Sequence, residues 1–168
     1  MASQRTRIGS PSVGASGWDY IAPWRGSIEE TMSSLQTEVF AKYFSTRPEE
    51  LRPADIAELW SGNEFDEDTW AGFMATQGTH SILDIRHLVP AETRIDELTG
   101  NTMRPVSTAE TIAAFGHDMP TRAEYERLAD TTYSPIFDED DGRWAGRCLI
   151  LYKDGVPESV AFWGVSGD

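Results

Sequence analysis

Hydrophobic and polar positions change period several times along the chain, most clearly at its C-terminal end. Strand-forming runs at Arg143–Lys153 and Ser159–Val165 flank Asp154-Gly155, a dipeptide that accepts the positive φ of a tight hairpin turn. Alternation puts Trp144, Cys148, Ile150 and Tyr152 on one face of the first strand. Ala145, Arg147, Leu149, Leu151 and Lys153 take the other. Neither face is cleanly polar, so the pattern predicts a central hairpin covered on both sides. Pro157 lacks an N–H and is expected just outside the paired region. Gly146 and Gly164 read as bulges or as points of close approach by another backbone, the plain bulge being preferred.

Helical spacing appears where the period shifts to 3.6. Ser27-Ile-Glu-Glu30 has the form of a capping box, and Ile28, Met32, Leu35, Val39, Phe40 and Tyr43 follow at helical intervals. This predicts a helix to about Tyr43. A short helix is expected over Pro53–Trp60, and another over Phe65–Gln77, stopped by Gly78. Ser107-Thr-Ala-Glu110 and Thr121-Arg-Ala-Glu124 are further capping boxes. The first predicts a helix through Phe115; the second predicts one carrying Tyr125 and Leu128.

Two other runs read as strands: Trp18–Ile21, ending at Pro23, and Thr79–Leu88. Residues 90–105 are mixed, and a loose hairpin and a surface loop both remain open. Residues 1–17 are rich in Ser, Gly and Pro and are expected to form a disordered tail. Residues 18–168 are expected to form one α+β domain. Its antiparallel or mixed sheet has about four strands, covered by four or five helices, mostly on one face.

Charge narrows the function classes. With 14 Lys and Arg against 28 Asp and Glu, the net charge of the 168 residues is −14. That disfavours nucleic acid and anionic membrane surfaces, and suits solubility or a basic partner. A lone cysteine allows neither an intramolecular disulfide nor a thiolate metal cage. No apolar run is long enough to span a membrane and no signal peptide is evident, so a cytoplasmic location is expected.

Candidate chemistry is sparse. His80 and Asp84 share a face of the expected strand but stand about 13 Å apart at strand rise, and His87 falls on the opposite face. These three are the nearest approach to a catalytic site. The preferred register puts His80 and Asp84 on a partly solvated face, where replacing either with alanine costs under about 1 kcal/mol. Cys148, mid-strand among apolar neighbours, reads as a small buried hydrophobe. The run Asp138-Glu-Asp-Asp-Gly142 fails the EF-hand spacing. No metal site and no cofactor are expected.

The leading functional expectation is a non-enzymatic acidic protein that recognises a basic protein partner, inhibitor-like or immunity-like. Trp18 and Trp24 are candidate anchors, with Asp138, Asp140 and Asp141 as candidate charged contacts. The alternative is a small-molecule binder or small enzyme with a pocket between sheet and helices, lined by His80, Asp84 or His87. A nucleic-acid mimic ranks last, because the acids are interspersed with core positions rather than set in rows.

Overall fold

The computed structural model describes residues 3–5, 15–60, 78–94, 100–130, 136 and 144–167. Its centre is a mixed sheet of strands β1 (Ser3–Arg5), β2 (Ala15–Pro23), β3 (His87–Leu88), β4 (Thr102–Pro105), β5 (Ala145–Lys153) and β6 (Val156–Gly167). The spatial order is β1-β2-β6-β5-β4-β3. β6 runs antiparallel to β2 and β5, whereas β4 is parallel to β5 and β3. The fold is α+β, with the C-terminal hairpin at the middle of the sheet.

Helices α1 (Ile28–Ser45), α2 (Ile56–Trp60), α3 (Thr108–Phe115) and α4 (Arg122–Ala129) are the α-helices of the described residues, with 3-10 turns at Glu49–Leu51 and Ile82–Asp84. Their starts follow from side-chain caps. The Ser27, Ser107 and Thr121 side chains each accept from the backbone N–H three residues on. Glu110 and Glu124 return a bond to the cap backbone, satisfying a second orphan donor. α2 is shorter than expected. The Asp55 carboxylate accepts from Glu58 N, so the chain turns helical only after Asp55.

The period-2 alternation of β5 and β6 feeds two cores. Cys148, Val160 and Phe162 face α1, packing with Trp18, Tyr20, Met32, Leu35 and Ile82. Leu149, Leu151, Ala161 and Trp163 face α3 and α4, packing with Tyr125, Phe115, Leu128 and Ile136. Each fully buried large apolar side chain contributes about 1.5–3 kcal/mol. Helices therefore cover both faces, not mostly one. The crossover from β4 to its parallel neighbour β5 carries α3 and α4 over one face, leaving the other to α1.

Three local expectations are corrected. Thr79–Leu88 is not a continuous strand: a 3-10 turn occupies Ile82–Asp84 and only His87–Leu88 pair. Ile82, Leu83, Asp84 and Ile85 are all buried in succession, and Asp84 N and Ile85 N bond back to the carbonyls of Ser81 and Ile82 rather than to a neighbouring strand. Gln36 Nε2 donates to the carbonyls of Ile82 and Ile85 from α1 and so fixes the turn. Pro157 lies inside the hairpin ladder opposite Tyr152, beside the register shift at Leu151/Tyr152. Gly146 and Gly164 are paired positions where the Trp18 ring crosses the sheet. A Cβ on Gly146 would stand 3.0 Å from that ring and from Trp163 O, so close approach, the second of the two expected readings, accounts for them rather than a bulge.

Residues 90–105 resolve in part. Thr102–Pro105 form β4, and Thr93 N donates to Pro90 O in the preceding turn. Of the expected tail, Ser3–Arg5 pair with β2, and Ala15–Gly17 belong to β2 itself. The helix expected over Phe65–Gln77 lies outside the described residues.

Candidate functional site

His80, Asp84 and His87 are adjacent in sequence but do not form one site. His80 and His87 are exposed, while Asp84 is 1 % exposed. The expected solvated strand face therefore does not exist at Asp84. The 3-10 turn rotates its carboxylate inward, where Oδ1 accepts from Thr79 N and Thr79 Oγ1 at 2.7 Å. Oδ2 accepts from Ser166 Oγ at 2.6 Å.

The network continues through hydroxyl groups. Thr79 Oγ1 and Ser81 Oγ are 2.7 Å apart, and Ser81 Oγ accepts from Leu83 N at 3.2 Å. Thr79 Oγ1 donates to Asp84, so the Ser81 hydroxyl donates to Thr79 and its oxygen accepts from Leu83 N. The network ties the 79–84 turn to β6. Burial, aided by the Asp84 charge and opposed by the Ser81 bond, pushes the Tyr20 phenol up to about 12.

Asn101 supports the same corner of the fold. It sits at φ 67°, a left-handed conformation in which Asn is enriched. Its Nδ2 donates to Asp84 O at 2.7 Å, its N donates to Trp144 O, and its carbonyl accepts from Arg86 N and His87 N. His80 and Trp144 also have positive φ, at 53° and 63°.

A second polar arrangement lies on the α3/α4 side. Register pairing sets Arg104 of β4, Arg147 of β5, Trp163 of β6 and Asp19 of β2 in one row across the sheet. Arg104, Arg147 and Asp19 are all buried. Arg104 Nη1 and Nη2 donate to the two Glu110 oxygens at 3.2 and 3.1 Å, and Arg147 Nη2 donates to Oε1 at 2.6 Å. Ser107 N donates to Oε2 at 2.7 Å. At the other end of the row, Tyr125 O–H donates to Asp19 Oδ2 at 3.1 Å. Beside Arg104 opens a cleft of about 480 Å³, lined by Ala91, Thr93, Arg94, Ser107 and Glu110 among others.

This arrangement holds charge but is not tuned for proton transfer. Burial alone would raise the Glu110 carboxyl. Hydrogen bonds from Arg104 and Ser107 and the Arg147 charge outweigh it and hold the group at about 2. Such a carboxylate is too weak a base to abstract a proton at neutral pH. The Tyr20 phenol is displaced in the opposite direction and stays protonated. Burial also pushes the Cys148 thiol well up, away from the reactive thiolate.

The candidate anchors divide. Trp18 is 2 % exposed in the α1-side core, where it packs against Gly146 and Gly164. Its ring is thus unavailable to a partner. Trp24 is half-buried against the same core. Asp138, Asp140 and Asp141 lie outside the described residues. Among the described residues, no group of three or more His, Cys, Asp or Glu could hold a metal ion, and no helix is long and apolar enough to cross a membrane.

Sequence reasoning missed the Arg104–Glu110–Arg147 cluster. One signal was present: Arg147 interrupts an apolar face of Ala145, Leu149 and Leu151, and an inward charge must find a partner. That the partner is the capping Glu110 depends on tertiary structure. No protein-family model, curated protein or solved structure matches the chain.

Proposed function

We propose that this chain is a non-enzymatic acidic recognition protein for a basic protein partner, inhibitor-like or immunity-like. The supporting observation is where the charge goes. Two cations, Arg104 and Arg147, and two carboxylates, Asp19 and Asp84, are buried, so among the described residues the interior is balanced and does not absorb the acidic excess of a chain at −14. Glu49, Glu50, Asp55 and Glu58, in contrast, all stand exposed between the end of α1 and α2, with Arg52 the exposed base among them. Such a surface accelerates encounter with a basic partner and rejects acidic ones.

Affinity capture with the intact protein at low salt, followed by mass spectrometry, tests the proposal. The expected result is a basic partner whose affinity falls at least tenfold when Glu49, Glu50, Asp55 and Glu58 are changed together to lysine. Capture of acidic or small-molecule-metabolising partners only, or an unchanged affinity in that variant, contradicts it.

The cleft beside Arg104 favours a second reading, a small-molecule binder. Its volume falls in the range of ligand pockets, roughly 300–1,000 Å³, and the Arg104 guanidinium in its wall suits a carboxylate or phosphate ligand. A rise in melting temperature with a small organic acid, abolished by Arg104→Met, would establish it.

A further inference from the structure

The cleft beside Arg104 carries an inference that rests on the small-molecule reading and names its ligand class. All of its lining residues are described, and they come from the turn at 90–94, from Arg104 of β4 and from the start of α3. The turn is closed by the bond from Thr93 N to Pro90 O. The start of α3 is closed by the reciprocal bonds of Ser107 and Glu110. Arg104 joins the two: its Nη1 donates to Ala91 O at 3.1 Å and to Glu110 Oε2 at 3.2 Å. The walls are thus held by a residue of the cleft itself, and little ordering is left for a ligand to impose.

The walls carry both signs in equal number: Glu92 and Glu110 against Arg94 and Arg104. Glu110 is committed to the protein, because Oε1 accepts from Arg104 and Arg147 and Oε2 accepts from Arg104 and Ser107 N. Glu92 and Arg94 are exposed. Thr93 and Thr108 add hydroxyl groups, and none of the lining residues is aromatic or a large aliphatic. Such a wall selects against a simple ion. A free anion is opposed by the field of a chain at −14, and it finds as many carboxylates as guanidinium groups. A free cation meets the same balance. A molecule bearing both signs engages both and adds no net charge. We infer that the cleft binds a polar α-amino acid, with its carboxylate at Arg94 and Arg104, its ammonium at Glu92 and its side chain among the Thr93 and Thr108 hydroxyls. The volume of about 480 Å³ admits side chains of several carbons, and the charge-assisted bonds at the two ends fix the orientation.

The test uses the full chain and isothermal titration with L-glutamine and two close analogues. Glutaramate lacks the ammonium group, and glutamine carboxamide lacks the carboxylate. L-Glutamine is expected to bind at least tenfold more tightly than either. Glu92→Gln, at an exposed position, should weaken L-glutamine at least tenfold and leave glutaramate unchanged. Arg94→Gln, also at an exposed position, should weaken both. Glutaramate binding as tightly as L-glutamine, or more tightly, overturns the inference but leaves the small-molecule reading standing, with the cleft assigned to organic anions. Tighter binding of the carboxamide overturns it in favour of a cation. An L-glutamine affinity unchanged in both variants places the bound molecule outside the cleft and overturns it as well. No binding of any of the three at millimolar concentration takes down both the inference and the reading on which it rests.

Discussion

Replacing Asp84 with alanine should destabilise the protein as a core mutation does. Three donors converge on its carboxylate: Thr79 N–H, Thr79 O–H and Ser166 O–H, at 2.6–2.7 Å. Asp84, Thr79 and Ser166 are 1 %, 4 % and 0 % exposed, so bulk water cannot replace the carboxylate without opening the corner. A buried donor left without an acceptor costs about 1–3 kcal/mol. The amide of Thr79 is held by backbone and carries its full cost, whereas the two hydroxyls can rotate and recover part of theirs. The sum is about 3 kcal/mol or more, a large fraction of the roughly 5–15 kcal/mol that stabilises a domain. It corresponds to about a 6–12 °C fall in melting temperature for a chain of this length.

Urea unfolding followed by tryptophan fluorescence measures the effect, with three variants compared. Asp84→Asn retains an acceptor toward Thr79 and presents N–H to Ser166, whose hydroxyl can accept, so about half of the loss is expected. His80→Ala changes an exposed side chain and should cost under about 0.5 kcal/mol. A cost below about 1 kcal/mol for Asp84→Ala, with unchanged slope of unfolding, would refute the reasoning. It would mean that the network is not held by the carboxylate.

Other consequences are as direct. Glu110 has its folded carboxyl lowered from 4.5 to about 2, so its contribution is fully present above the unfolded value and lost as pH falls through about 2. The stability difference between the unaltered chain and Glu110→Gln should be constant above about pH 5 and shrink toward pH 2, as read from urea midpoints; a pH-independent difference would contradict this. Gly164→Ala should cost at least about 2 kcal/mol by overpacking, because its Cβ would meet the Trp18 ring and stand 2.6 Å from Ala145 O; a near-neutral thermal shift would show that Trp18 can move aside. Cys148 is 0 % exposed, so iodoacetamide at mildly alkaline pH should leave it unmodified in folded protein and label it in urea, as mass spectrometry resolves.

The legible parts of this fold were those whose determinants are local. Asp154-Gly155 marked the hairpin because positive φ is needed at both positions, and they have φ of 52° and 79°. Ser27, Ser107 and Thr121 marked helix starts because a cap is a contact across three residues. What failed was long-range. Thr79–Leu88 has strand-like composition, but Gln36, forty-six residues before Ile82, turns it into a 3-10 segment by bonding its carbonyls. Pro157 sits inside the ladder because of a register shift that nothing local in the sequence marks.

The candidate site divided along the same line. His80, Asp84 and His87 drew attention as polar residues in an apolar run, and one of them, Asp84, does anchor a buried network. Its partner Ser166 is eighty-two residues away, so no spacing rule could have joined them. Arg147 was visible as a charge on an apolar face, yet its pairing with Glu110 depends on β4 and β5 lying parallel beneath α3. Trp18 looked like an interface anchor because its sequence neighbourhood is aromatic. Gly146 and Gly164, on two other strands, are what make room for it in the core.

Salt dependence of partner binding tests the central claim most directly. Between about 10 mM and 1 M salt the screening length falls from roughly 30 Å to 3 Å, so a complex steered by the net charge of −14 must weaken across that range. Isothermal titration with the captured partner should show affinity falling by at least tenfold, most of it lost in the Glu49/Glu50/Asp55/Glu58→Lys variant. An affinity that is flat with salt in the unaltered protein would contradict recognition by an acidic surface.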